Sequence, residues 1–234
     1  IPRISNMDIP DHEIELSYAR SQVALLKQLN DTLKKDVVCL QDELVKAAEI
    51  QQSFMSSSIP SIPGIQIETI WKPCNVVSGD VYDIRKLNNE EISIFIGDSI
   101  GHGVSAAMLG MMAIRTLAAY RQVEGITTSP ADMLHALNDA ICEKDGDAAR
   151  FMTAFYAIYN FRTNKLTYCG AGHPAGIVTP QIGDPNILES NGPLLGVFHD
   201  AIYENETIEL EPNSKFVLYS DGFEHLMPDS LEQY

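Results

Sequence analysis

Three short segments of this chain end an apolar, strand-like run in an aspartate beside a glycine: Ser78-Gly79-Asp80, Ile96-Gly97-Asp98-Ser99 and Tyr219-Ser220-Asp221-Gly222. A carboxylate at a strand end is held stiffly, and the neighbouring glycine lets backbone or ligand approach closely. Brought together, Asp80, Asp98 and Asp221 would make an all-oxygen, strongly negative pocket. Such a pocket suits Mg2+ or Mn2+, which prefer carboxylate, carbonyl and water ligands. Taken singly, each Asp-Gly pair is also an ordinary turn signal, and spacing alone does not prove convergence. Two histidines sit beside glycines, His102 in Gly-His-Gly and His173 in Gly-His-Pro. Each reads either as an acid-base group or as a brace that holds a loop by hydrogen bonds. Asp83, three residues after Asp80, either orients a metal-bound water or lies exposed on a hairpin. Cys39, Cys74, Cys142 and Cys169 are far apart and form no CxxC pair. A disulfide framework or thiolate zinc site is therefore not expected, and a reducing compartment, the cytoplasm, fits.

These carboxylates need a scaffold, and from Ile65 onward the texture is that of strands. Ile65, Ile67 and the Ile70-Trp71 pair suggest one strand. Val81–Leu87 and Ile92–Ile96, joined at Asn88-Asn89, predict a hairpin with Ile92, Ile94 and Ile96 on one face. Gly101-His102-Gly103 turns into a helix over Val104–Tyr120, in which Met108, Met111 and Met112 read as core filler. Ser129 is a plausible cap for a second helix that opens at Pro130. Strands return at Thr153–Phe161, Leu166–Cys169, Gly176–Val178, Glu206–Leu210 and Phe216–Tyr219, with a turn at Arg162–Lys165. Strands, then two adjacent helices, then strands predict an α+β fold with antiparallel sheets. Trp71 and Cys74 read as packing residues.

Residues 14 to 55 contain neither Gly nor Pro. Leu26, Leu33, Leu40, Ala47 and Phe54 fall seven apart, and Val37, Leu44 and Gln51 fall four after Leu33, Leu40 and Ala47. This is the seam of a coiled coil over about four heptads, which predicts a homodimer. The alternative is a single amphipathic helix packed on its own domain. Ser56-Ser57-Ser58, followed by Pro60, Pro63 and Gly64, stops the helix. The expected organisation is a linker or tail of an upstream domain over 1–13, a coiled-coil signalling helix over 14–56 and a compact domain over 57–234. The chain has no initiator Met and begins and ends abruptly, so a fragment of a longer protein is expected.

The net charge is −16, and residues 57–234 hold 23 acids against 10 bases. That balance disfavours binding to nucleic acid or to anionic lipid. No apolar run approaches the roughly 18 residues that would span a bilayer, so no direct membrane insertion is expected. Hydrophobic residues at 45% and charged residues at 21% place the chain among globular proteins, not disordered ones.

The segments VVSGDVYD (76–83), IGDSIGHGVSAAM (96–108), GAGHPAGIV (170–178), GPLLGV (192–197) and VLYSDG (217–222) resemble the bacterial PP2C-type metal-dependent Ser/Thr protein phosphatases. Within them, the SpoIIE/RsbU-like branch is the most similar. Glu49-Ile50-Gln51, Phe54, Pro60 and Pro63 also match the way that branch enters its catalytic domain from a helical linker. The resemblance spans about residues 46 to 226 and rests on five motifs in one order.

The resemblance implies an αββα sandwich of two antiparallel sheets flanked by helices, with two divalent cations, Mn2+ or Mg2+, at one end. It puts a metal-bridging role on Asp80, a ligand or water-holding role on Asp98, a backbone-carbonyl ligand on Ser99 and a second-metal ligand on Asp221. It implies attack on phosphorus by a water that bridges the metals, with no phosphoenzyme. The implied substrate is a phosphorylated regulatory protein, for instance an anti-sigma-factor antagonist of the STAS type, with input from an upstream sensor or receiver domain. The chain departs from the pattern in two places. Ser78 stands where many relatives carry Gly, and no Asp-Asp pair follows Asp221, although the family ends in one. The second departure leads to the expectation of a phosphatase domain truncated at its C-terminus, with an exposed sheet edge. It also leaves open a catalytically weak or inactive phosphatase-like module that binds a signalling partner.

Overall fold

The computed structural model describes residues 11–55, 59–73, 76–121, 128–142 and 150–224. Residues 1–10 of the expected linker, the Ser56-Ser57-Ser58 stop, Cys74 and His225 lie outside these residues. The chain divides into two compact units, Ile1–Lys46 and Ala47–Tyr234. The first is built on helix α1, Asp11–Phe54, whose last turns belong to the second. A stretch without Gly or Pro lets a helix of this length run unbroken. Leu26, Leu33, Val37 and Leu40 on α1 are all more than half exposed in the single chain. No helix among the described residues is long and apolar enough to cross a membrane.

In the second unit, β1 (Val81–Lys86) and β2 (Glu91–Ser99) form the expected hairpin. Helices α2 (Val104–Tyr120) and α3 (Pro130–Cys142) follow, then β3 (Met152–Asn160), β4 (Lys165–Ala171), β5 (Gly176–Thr179) and β6 (Asn186–Leu188). The last elements are β7 (Glu206–Glu209), β8 (Lys215–Val217) and a single helical turn, α4 (Asp221–Glu224). The larger sheet has the order β1-β2-β3-β4-β7 and the smaller β6-β5-β8, every pairing antiparallel. Helix α3 starts with a reciprocal cap. Ser129 Oγ accepts the Asp132 N–H at 3.3 Å, and Asp132 Oδ2 accepts the Ser129 N–H at 2.9 Å.

Strand β3 explains the layering. Met152, Ala154 and Tyr156 point into one core with Leu117, Leu134 and Leu137 of the two helices. Phe155 and Ala157, on the alternate face, join Val178, Leu188 and Phe216 in a second core between the sheets. The apolar run of β3 is thus buried on both faces, and each fully buried large side chain contributes about 1.5–3 kcal/mol. Antiparallel sheets flanked by helices are what the sequence predicts.

Local details differ from expectation. Ile65–Trp71 is not a strand: Ile62 and Ile65 make one isolated bridge around Pro63-Gly64, and Ile70 is 97% exposed. Strand β2 buries Ile92, Ser93 and Phe95, so both its faces are covered. The short β6 has no marked apolar signal. Met108 is not core filler but 68% exposed. The buried stripe of α2 runs through Ala106, Leu109, Gly110, Ala113, Ile114 and Leu117, and the helical period puts Met108 on the other side. Met111 and Met112 do pack against the core.

Candidate metal centre

The β1–β2 register pairs Val81 with Gly97. One step further along the same hairpin, Asp80 stands across from Asp98. The glycine before Asp80 makes this approach possible: a Cβ on Gly79 would lie 3.0 Å from the Ser99 carbonyl oxygen and 3.1 Å from Ala106 Cβ. Gly79 therefore lets the Asp80 turn rest on the backbone at the end of β2. Asp221 arrives from the other sheet, at the start of α4 four residues beyond β8.

The carboxyls of Asp80, Asp98 and Asp221 are close enough to feel one another's charge. Burial pushes the Asp98 carboxyl up to about 7, helped by the charges of Asp80 and Asp221 and by its hydrogen bond to Asp80. Burial also raises Asp80, against hydrogen bonding from Ser220; the Asp221 charge raises it further and the hydrogen bond with Asp98 lowers it. Both carboxyls are raised because two adjacent carboxylates out of water do not readily both ionise. Asp80 Oδ1 is buried and makes no hydrogen bond among the described residues; Ser99 Oγ is in the same condition.

This donor set fits a hard divalent cation. A cation would relieve the repulsion and supply a partner for Asp80 Oδ1. Among the described residues no three His, Cys, Asp or Glu side chains lie together so as to hold a metal ion. Mg2+ does not demand so many, since it keeps several waters and is commonly held by one or two carboxylates together with substrate phosphate. Asp80 and Asp98 would supply such a pair. The Ser99 carbonyl faces the same turn, and Asp221 adds negative charge nearby.

The other singled-out residues separate clearly. His102 is exposed between Gly101 and Gly103, whose φ values of 83° and 82° demand glycine. His173 is buried, with Nδ1 2.8 Å from Thr153 Oγ1 and its backbone N–H donating to Ser190 Oγ at 2.9 Å. Desolvation pushes its ring down to about 4, opposed by the Tyr219 carbonyl, although Nε2 makes no hydrogen bond of ordinary geometry. A buried ring held neutral, bonded to Thr153 of β3 while its own backbone bonds Ser190, is a brace. Asp83 is neither exposed nor aimed at a metal-bound water. It is 1% exposed and accepts from Arg85 Nε at 2.8 Å and from Arg121 Nη1 at 2.5 Å. Arg121 follows the last residue of α2 and also donates to the Tyr156 hydroxyl at 3.3 Å, so this ion pair pins the end of α2 to β1.

Two contributors were not legible beforehand. Trp71, expected only to pack, donates its indole N–H to the Asp80 carbonyl at 3.1 Å. Gln51, on the apolar seam of α1, turns a buried amide onto the backbone of Ser78. A polar residue at a seam position was the one available sign.

The chain is similar to proteins of known fold and activity. The phosphoserine phosphatase RsbU of Bacillus subtilis (strain 168) is 33% identical over 196 residues, covering 83% of this chain and 57% of RsbU. The SiaA-PP2C domain of Pseudomonas aeruginosa has a TM-score of 0.63 at 24% identity, covering 76% of this chain and 70% of that one. RsbX, solved in complex with magnesium, has a TM-score of 0.52 at 22% identity, covering 62% of this chain and 67% of that one. The fold is therefore that of the PP2C phosphatases. The chain spans between 32% and 57% of the length of the curated relatives it matches. The family model for Stage II sporulation protein E matches residues 88–234, more than half of the chain, and this chain belongs to the SpoIIE family.

Proposed function

We propose that this chain is a metal-dependent phosphatase that removes phosphate from a phosphoserine or phosphothreonine of a regulatory protein. The observation that carries this reading is the facing pair Asp80 and Asp98, with Asp80 Oδ1 buried and without a hydrogen-bond partner among the described residues. Asp80, Asp98, the Ser99 carbonyl and Asp221 would hold two ions of Mn2+ or Mg2+. When bound, such ions neutralise phosphoryl charge and lower the pKa of water so that it can attack phosphorus. The chain's own part is to fix these oxygens: the hairpin register sets Asp80 against Asp98, and Gly79 allows the close approach to Ser99. Neither a nucleophilic Ser nor a Cys is required. Similarity to a phosphoserine phosphatase and to a magnesium-bound relative supports the reading.

The substrate would be a STAS-type anti-sigma-factor antagonist or a similar partner-switching protein in bacterial signalling. The exposed heptad leucines of α1 support a homodimer joined through a coiled coil. Such a dimer would act in the cytoplasm under an upstream sensor or receiver domain. The test is phosphate release from phosphoserine peptides and from a phosphorylated STAS protein. Release should require Mn2+ or Mg2+, stop with EDTA and fall at least about 100-fold in Asp80→Asn. Tight binding of the phosphorylated protein without turnover at any metal concentration would point to a docking module instead.

A further inference from the structure

The heptad spacing along α1 gives each side chain a place in a helix pair. Val23, Asn30 and Val37 take one seam position, and Leu26, Leu33 and Leu40 the other. The apolar ones are all more than half exposed in the single chain. Valine at the first position with leucine at the second favours two strands. Between Leu16 and Leu44, Asn30 is the one polar residue on the seam. An amide carries both donor and acceptor, so two copies of Asn30 satisfy each other when they share a layer. Sliding one helix by a heptad sets Asn30 against Val23 or Val37. Reversing one helix sets it against the leucine position. Either way a polar group is buried without a partner.

The flanks of the seam point in the same direction. Arg20, Lys27 and Lys34 stand on one flank, and Glu15, Asp36 and Glu43 on the other. In a parallel pair each residue of the acidic flank faces the basic flank of the partner's next heptad. Glu15 then meets Arg20 of the partner, and Asp36 meets Gln41. Leu29, also on the acidic flank, meets Lys34, whose methylene stem can cover it. In an antiparallel pair each flank faces its own copy, base against base and acid against acid. Exposed ion pairs add little stability, but like charges in register select against the wrong direction.

We infer that α1 pairs with a second copy of this chain as a parallel, two-stranded coiled coil whose register is set by Asn30 against Asn30. The inference rests on the proposed dimer and adds its direction and register. Both copies then leave the coiled coil from the same end.

The test is disulfide trapping in the full chain, with Cys39→Ser as the background because Cys39 is exposed. A parallel, in-register pair sets each seam position beside its own copy, within the roughly 4.4–6.8 Å between Cα atoms that a disulfide accepts. Under mild oxidation with copper phenanthroline, Val37→Cys should run as a covalent dimer on a non-reducing gel. Val23→Cys should do the same and serves if Val37→Cys does not fold. A mixture of the two variants, one carrying a longer tag, should show no link between the two positions. Asn30→Val should turn a pure dimer into a mixture with larger assemblies in sedimentation. A sedimenting dimer that forms neither like-with-like link, or that links position 23 to position 37, would overturn the direction and register while leaving the dimer. Asn30→Val that stays wholly dimeric would overturn the part given to Asn30. A wild-type chain that sediments as a monomer would overturn the proposed dimer, and this inference with it.

Discussion

His173 offers a quantitative check on how the loop between β4 and β5 is held. Its buried ring sits at about 4 against the ordinary 6.5, a preference for the neutral form of about 3 kcal/mol. The unfolded ring takes up a proton near pH 6.5 and the folded one near pH 4. Between those values the unfolded state binds more protons, so the contribution is intact above about 6.5, falls as the pH drops and is gone near 4. Between pH 7.5 and pH 5 the loss amounts to about 2 kcal/mol, or about 4–8 °C in Tm for a unit of this size. His173→Asn removes the titrating ring while keeping an acceptor for the Thr153 hydroxyl. Other groups titrate over the same interval, so the quantity to compare is the difference in pH slope between wild type and variant, read from urea unfolding of metal-free protein. The wild type should lose about 2 kcal/mol more than the variant between the two pH values. Equal slopes would refute the buried neutral ring. A pH–rate profile whose limb near neutrality disappears in His173→Asn would refute the brace in favour of an acid-base role.

Replacing Asp98 by Asn mimics its protonated form, since an amide N–H can still donate to Asp80. Metal-free Asp98→Asn should melt higher at pH 7.5, by at least about 1 kcal/mol in stability, and should lose the Mn2+-induced rise in Tm seen in wild type; differential scanning calorimetry with EDTA or Mn2+ reads both. Arg121→Met leaves the buried Asp83 with the half-exposed Arg85 and should cost about 3–5 kcal/mol, whereas the double variant with Asp83→Asn should recover part of that loss in a denaturation cycle. Leu40→Glu combined with Leu44→Glu sets like charges into each layer of the proposed coiled coil, so sedimentation should show monomers where wild type is dimeric. A wild-type chain that sediments as a monomer would contradict the dimer directly.

Much of this architecture was legible because its signals are local and periodic. The β1–β2 hairpin follows from alternating Ile around Asn88-Asn89, and α3 from Ser129-Pro130 with Asp132 completing the cap. The convergence of Asp80 and Asp98 was not legible from spacing alone and entered only through the family resemblance; the register of the β1–β2 hairpin is what sets the two residues across from each other. What escaped depends on partners distant in sequence. Asp83 looks like a surface residue until Arg121, 38 positions later, closes on it. Gln51 lies 27 residues from Ser78, and heptad spacing assigns it to a seam when its amide belongs to the turn before Asp80. Ile65–Trp71 has strand-like composition, but its apolar groups find no ladder after Pro63-Gly64, and Ile70 remains in solvent. The methionines of α2 failed for a simpler reason, since composition said core while the phase of the helix turned Met108 outward.

The most direct measurement is anomalous diffraction at the manganese edge from crystals of the full chain grown with Mn2+. A manganese peak should lie at bonding distance from carboxylate oxygens of both Asp80 and Asp98, with Asp80 Oδ1 no longer without a partner. A map at saturating Mn2+ with no peak between these two residues, and with their carboxyls still in mutual hydrogen-bond contact, would contradict the metal centre.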